Sequence, residues 1–322
     1  MNRMVAKEQI EHTMPLESAV GLSFKIPLAF AAVYLIWGTT YMGMAFAVKT
    51  LPPFIVAASR YLIAGLVLLG ILFLRGEKFP TWNQWKWSAL IGCCLMVGGN
   101  GLVMWGIQEI PSGICAVIIA TMPLWMTLFD WLFYQGPRPS WAVVIGLLLG
   151  MVGIILLIGP RELMLGETLL HLPSLIAVIC APVFWCLGSL QSRKADLPAN
   201  VFTATGAQML CGGMVLALIS FCLGEPHQFA VPDITPFSLL AVLYLAIFGS
   251  LIAMTAYMWL LKNATASRVA TYTYINPIIA VFLGWLILDE PITEEMLLAI
   301  VLIVTAVAMI VTLGQRSRKK KI

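Results

Sequence analysis

Residues 236–260 read PFSLLAVLYLAIFGSLIAMTAYMWL, a run without a charge bounded by Asp233 and Lys262. At about 1.5 Å of rise per residue a helix of this length outspans the ~30 Å hydrocarbon core of a bilayer. Its apolar residues are continuous instead of alternating, which excludes a strand of a membrane β-barrel. Nine further runs read the same way, at about 27–48, 52–74, 88–107, 112–134, 140–158, 173–190, 199–222, 266–288 and 293–313. Pro52, Pro111, Pro139, Pro173, Pro198, Pro236 and Pro291 stand at or near run ends, where a missing N–H costs least. The spacing therefore predicts an all-α polytopic membrane protein of ten transmembrane helices.

Composition agrees. Of 322 residues, 61% are hydrophobic and only 11% are charged, against roughly 25% charged in a soluble domain. Mean hydropathy is +0.94. Too few charges remain to cover a water-facing surface, which excludes a soluble globular protein, a disordered chain and a secreted disulfide scaffold. The cysteines at 93, 94, 115, 180, 186, 211 and 222 lie in or beside apolar runs without metal-ligand spacing and read as small core residues. No metal and no cofactor are expected. The net charge of +4 is spread over short loops, so no nucleic-acid partner is expected either.

The basic residues set an orientation. With the N-terminus inside, only Lys49 and Arg161 fall outside and Arg60 falls within a span; every other Lys and Arg falls inside, including the dense run Arg316, Arg318, Lys319, Lys320, Lys321. This asymmetry predicts both termini in the cytoplasm. The segment 1–26 is then a cytoplasmic N-terminal stretch, 159–172 a periplasmic linker, and 314–322 a basic cytoplasmic tail. Residues 1–25 lack the pattern of a cleaved signal peptide.

Sliding the chain by 154 residues lays spans three to five over spans eight to ten without a gap. Met104 meets Met258, Trp105 meets Trp259, Ala116 meets Ala270, Pro123 meets Pro277, Trp131 meets Trp285 and Pro137 meets Pro291; a shift of 148 lays Trp37 on Trp185. The repeat units are 27–158 and 173–313, five spans each. Because five is odd, the second unit enters the bilayer from the opposite face. Two inverted halves are a known plan of secondary transporters.

The residues Tyr34-Leu-Ile-Trp-Gly-Thr-Thr-Tyr41, Gly98-Gly-Asn-Gly101, Ile110-Pro-Ser-Gly-Ile-Cys-Ala-Val117, Tyr274-Ile-Asn-Pro277 and Asp289-Glu-Pro291 resemble the EamA-type drug/metabolite transporter family. The resemblance covers about 27–313 and is nearest to its bacterial inner-membrane exporters. It implies a ten-helix exporter of amino acids, related metabolites or drugs. Repeats of the family often carry Glu at the end of the fourth helix; Glu290 fills that place in the second half, whereas the first half has Gly136.

The substrate path is expected among polar groups at bilayer depth, where each must find a partner or line a cavity. The candidates are Trp37, Thr40, Tyr41, Asn100, Trp105, Thr121, Trp185, Tyr257, Tyr274 and Asn276, with Thr39, Gln208 and Tyr272 at similar depth. For a single Tyr, Thr or Trp the competing reading is helix packing or interface anchoring. Asn100 and Asn276 each carry four hydrogen-bonding sites beside a Gly or Pro. Pro123 and Pro277 read as static kinks or as hinges. Arg60 is the candidate for a substrate carboxylate, against a structural pair. Asp130 reads as an interfacial carboxylate near Arg138, or as a coupling group; otherwise efflux is uncoupled.

His12, His171 and His227 lie in loops or at span edges, and no HExxH, GxSxG or Gly-Lys-Ser/Thr occurs. An enzyme and a built-in ATP motor are thus not expected. The aromatic residues suit a small amphipathic metabolite, with amino acids the leading class. A multidrug exporter on the same scaffold is the alternative, and a non-transporting assembly or sensor protein is a third class. The expected partners are the lipid bilayer and the small-molecule substrate, the chain acting as a monomer or homo-oligomer.

Overall fold

The structure, a computed structural model, describes residues 16–106, 108–109, 118–158, 172–228, 234–288 and 294–319. Among the described residues it is helical, without strands. Helix α1 spans Leu16–Ala47 and α2 Pro53–Leu74. Helix α3 runs from Trp82 to Gly106 and widens to a π-helix over Cys93–Gly101. Then follow α4 (Met122–Phe133), α5 (Trp141–Ile158), α6 (Leu172–Gln191) and α7 (Val201–Cys222). Helix α8 runs from Pro236 to Asn263 with a π-helix over Leu245–Met254. A one-turn helix, Ala266–Val269, precedes α9 (Tyr272–Leu288) and α10 (Glu294–Lys319).

Six of the described helices are long and apolar enough to cross a membrane: 24–44, 53–74, 82–106, 172–191, 201–222 and 236–263. The apolar helices 118–133 and 141–156 are shorter. Polar residues between the runs start the helices. Thr81 and Gln84 form a capping box at α3, Asn200 accepts from the Phe202 N–H at α7, and Thr235 accepts from the Ser238 N–H at α8. The pattern of burial inverts that of a soluble protein. Gln208, Thr205, Ser250 and Asn276 are buried, whereas Leu66, Leu74, Leu218 and Phe221 are exposed, as expected where the surrounding solvent is hydrocarbon.

The packing scheme survives exchange of the two halves. Helix α2 lies along α7, and α5 along α10. Helix α6 packs on α3 and α4, and α1 correspondingly packs on α8 and α9. Helix α3 meets α7 as α8 meets α2. The two π segments also sit at positions related by the 154-residue shift. A close crossing lies at Gly92 of α3. A Cβ built there would stand 2.3 Å from the Gln208 carbonyl oxygen, and one on Gly212 would stand 2.8 Å from the Gly92 carbonyl oxygen. The backbones of α3 and α7 touch because neither residue has a side chain.

Polar contacts tie the loops at each end of the bundle. At one end Asn83 donates to Asp196 (2.7 Å), Asn200 to Glu77 (2.6 Å) and Tyr134 to Gln191 (3.1 Å). Arg193 pairs with Asp130 there at 3.1 Å. The expected neighbour of Asp130, Arg138, instead lies 5.7 Å from the Trp131 ring centroid. The reversal at Gln135, whose φ is +58°, folds Gly136 back so that its N–H donates to the Asp130 carbonyl at 2.7 Å, and the carboxylate is met by Arg193, just past the end of α6. At the other end Thr50 donates to Ser238 (2.9 Å) and Ser238 to the Phe46 carbonyl (3.0 Å).

Helix α2 begins on Pro52 and Pro53 without a cap of its own. Glu225, buried at the far end of α7, supplies one. Its Oε1 accepts the Phe54 N–H (3.1 Å), and its Oε2 accepts the Ile55 N–H (2.9 Å) and the Ser220 hydroxyl (2.7 Å). The carboxylate satisfies two free donors and meets the positive end of the helix dipole. Glu225→Ala is expected to cost about 1–3 kcal/mol of stability, read as a lower unfolding temperature in detergent; an unchanged temperature refutes the capping role.

Pro123 does not lie within a helix interior. It occupies the first turn of α4, after the helix breaks at Thr121, and there it displaces no helical hydrogen bond. Pro277 does lie inside α9. The repeat pairs these two prolines in sequence, yet only the second interrupts a helical ladder. Pro27 of α1 and Pro182 of α6 are also internal.

Candidate functional site

A cavity of about 80 Å³ lies where α1, α2, α3, α6, α8 and α9 converge. At ~10–15 Å³ per water it has room for several water molecules. Its wall includes Trp37, Thr40, Arg60, Tyr61, Asn100, Pro182, Trp185, Gly249, Tyr272 and Asn276. The two π segments both contribute, Asn100 from α3 and Gly249 from α8. A π turn is wider than an α turn and frequently marks a functional position.

One wall is aromatic. The Trp37 ring lies 5.7 Å from Trp185, 5.1 Å from Tyr257 and 4.7 Å from Tyr272, centroid to centroid. Tyr257 is 5.7 Å from both Trp185 and Tyr272. The tilted and edge-on geometries are those that aromatic quadrupoles favour. The polar tips are held. Trp37 Nε1–H donates to the Gly249 carbonyl at 3.0 Å and Trp185 Nε1–H to the Tyr257 hydroxyl at 2.9 Å. Ser189 and Tyr257 share a 2.6 Å hydrogen bond. The rings come from α1, α6, α8 and α9, so this wall joins the two halves of the chain.

The opposite chemistry is polar. Arg60 is 4% exposed although it carries a full charge. Its Nε–H donates to the Ser250 hydroxyl at 3.0 Å, and its guanidinium carbon lies 4.8 Å from the Tyr61 ring centroid. Asn100 and Asn276 each leave a buried Oδ1 without a hydrogen-bond partner. Thr40, buried beside them, returns its hydroxyl to the Trp37 carbonyl (2.7 Å).

The structure thus brings Trp37, Thr40, Asn100, Trp185, Asn276 and Arg60 to one cavity, with Tyr257 directly behind the two indoles. Four candidates stand elsewhere. Tyr274 is fully buried between α9 and α5, donating to the Leu147 carbonyl at 3.2 Å. Its neighbour in sequence, Asn276, faces the cavity because two residues rotate a helix by about 200°. Thr121 donates to the Ile118 carbonyl (2.6 Å) and accepts from Trp125 Nε1–H (3.1 Å), which uses its hydroxyl at the break before α4. Trp105 is half-buried and packs on the main core, away from the cavity lining. Asp130 sits at the end of α4 with Arg193, remote from Arg60. The side chain of Tyr41 and all of Glu290 lie outside the described residues.

Sequence reasoning missed Gly249, Ser250 and Pro182. The pair Gly249-Ser250 interrupts an otherwise apolar run, and that was the available signal. Of the polar residues at depth, Gln208 is fully buried on α7 with neither amide atom bonded, and it does not line the cavity. Thr39 bonds the Tyr244 hydroxyl and the Ile36 carbonyl.

Comparison with known proteins yields one family, described as the EamA-like transporter family, which matches twice, over residues 24–159 and 172–312. The chain is 38% identical over 290 residues to the uncharacterized inner membrane transporter YedA of Escherichia coli strain K12, covering 89% of this chain and 90% of that protein. It is 28% identical over 293 residues to protein PecM of Dickeya dadantii, covering 89% and 92%. A solved crystal structure shares the fold, with a TM-score of 0.75 at 21% identity over 90% of this chain and 98% of the other.

Proposed function

This chain belongs to the EamA-like transporter family, a membrane transporter and not an enzyme, and we propose that it exports small metabolites, amino acids foremost, by alternating access. The observation that carries this reading is the cavity where α1, α2, α3, α6, α8 and α9 converge, lined by an aromatic wall and by polar groups left without partners. The twofold family match and the packing that survives exchange of the halves support two structural repeats. Five spans per repeat make them inverted, and inverted halves can exchange conformations to open one site to each side in turn. The kinship with an inner membrane transporter supports an inner-membrane location.

The end of the bundle tied together by Asn83–Asp196, Asn200–Glu77 and Arg193–Asp130 carries Arg75, Lys78, Lys86, Arg138 and Lys194, whereas the opposite end carries Lys49. This supports a cytoplasmic basic end with both termini on that side. Among the described residues no carboxylate lines the cavity, and Asp130 is engaged by Arg193. We therefore favour efflux down the substrate gradient, without proton coupling. Purified protein in liposomes is expected to move labelled amino acids at a rate that follows their gradient and ignores an imposed pH gradient. Hydrophobic cations moved in place of amino acids would support the multidrug alternative, and a rate set by the pH gradient would refute uncoupled efflux. Reporters fused to the two termini should both read cytoplasmic; opposite readings would refute the inverted halves.

A further inference from the structure

We propose that Arg60 is the group that selects cargo by charge, so that the transported solute must carry a carboxylate, with its ammonium taken by the amide oxygens of Asn100 and Asn276. The proposal rests on the amino-acid reading above and sharpens it to a recognition rule. The guanidinium of Arg60 brings five N–H donors. One of them, on Nε, is used by Ser250. The terminal nitrogens stand beside Gly249, with Nη2 3.1 Å from where a Cβ on that glycine would lie. Among the described residues no Asp or Glu forms an ion pair with Arg60. The face of Tyr61 offsets part of the charge, but the paired donors of a planar fork are matched by a carboxylate.

Of the other described side chains that line the cavity, the buried polar atoms without a partner are acceptors. Asn100 Oδ1 and Asn276 Oδ1 are buried and unbonded, and both residues line the same cavity as Arg60. A buried acceptor needs a donor, from water or from cargo, and an ammonium supplies one. The faces of the rings of Trp37, Trp185 and Tyr272 also attract a cation. The cavity therefore asks for an acid at Arg60 and for N–H donors at Asn100 and Asn276, which is the polar complement of an α-amino acid. A cation without an acid group would leave Arg60 unneutralised and add a second positive charge near it. The cavity volume of about 80 Å³ favours compact members of the class.

The test uses the full chain in liposomes with alanine, threonine and leucine, each compared with its carboxamide, which keeps the ammonium and lacks the acid. Wild-type protein is expected to move at least one acid ~100-fold faster than its amide, the scale of a lost buried charge-assisted pair. Arg60→Gln is expected to erase that ratio, lowering flux of the acid and not of the amide. Arg60→Lys is expected to keep the preference at a reduced rate. Amides moved as fast as acids by the wild type would overturn the proposal and leave the transport reading standing. So would an Arg60→Gln protein that loses acid and amide flux equally. If Arg60→Gln does not fold, an Arg60→Lys protein that has lost the acid preference overturns it, and one that keeps the preference supports it. Transport of none of the six solutes overturns both this rule and the reading it rests on.

Discussion

Gly92→Leu will unfold at a far lower temperature than the parent chain and will lose transport with the fold. A Cβ at this position would stand 2.3 Å from the Gln208 carbonyl oxygen and 3.1 Å from the Gly212 amide nitrogen. Both obstacles are backbone, so no rotamer change relieves the clash. The helices must separate, and the α3–α7 contact is among the closest in the bundle. Overpacking of a core typically costs about 1–3 kcal/mol, and a backbone obstacle raises it beyond that range. Gly70→Leu is the control. It adds the same side chain to an exposed face of α2 with nothing within 4 Å of the new Cβ, and is expected to change stability by less than ~0.5 kcal/mol. Thermal unfolding of the purified variants in detergent measures both, and equal unfolding temperatures would end the argument.

Trp37→Ala is expected to lower amino-acid flux by about 10- to 100-fold while the protein still folds. Three ring contacts, each worth ~0.5–1.5 kcal/mol beyond simple burial, disappear together. The Gly249 carbonyl, inside the π segment of α8, loses the indole donor that ties it to α1. Because Gly249 adjoins Ser250, which holds Arg60, loosening it also loosens the polar side of the cavity. Trp37→Phe retains most of the ring surface and lacks the N–H. It should fall between the two, with a several-fold loss. Flux into liposomes at matched protein amounts is the measurement, and a full rate for Trp37→Ala would remove the aromatic wall from the substrate path.

Much of the site was legible because depth in a bilayer is a one-dimensional property. Arg60, Asn100 and Asn276 stood out as polar residues within apolar runs, and Trp37 and Trp185 were paired by the repeat. Direction around a helix was not legible. Tyr274 and Asn276 lie two residues apart in the same motif, yet one packs on α5 and the other lines the cavity. Thr121 and Thr40 are alike in the sequence, yet only Thr40 lies beside the cavity. Hydrophobic periodicity could not separate these cases, because the lipid-facing and core-facing sides of such helices are both apolar. Glu225 gave no signal either, since its role depends on the start of a helix about 170 positions earlier.

What the sequence determined by itself was the set of apolar helices, the doubling of the chain and the uneven placement of basic residues. The reason is local: a hydrocarbon layer demands about twenty apolar residues with every backbone bond closed inside the segment. Only the tertiary structure decided that α1 packs with the second half and α6 with the first, that Asp130 pairs with Arg193, and that Ser250 holds Arg60. Between helices already in lipid no hydrophobic gradient sets the pairing. Close backbone approach at Gly92 and Gly212, together with hydrogen bonds between residues some 190 to 210 positions apart, selects it instead.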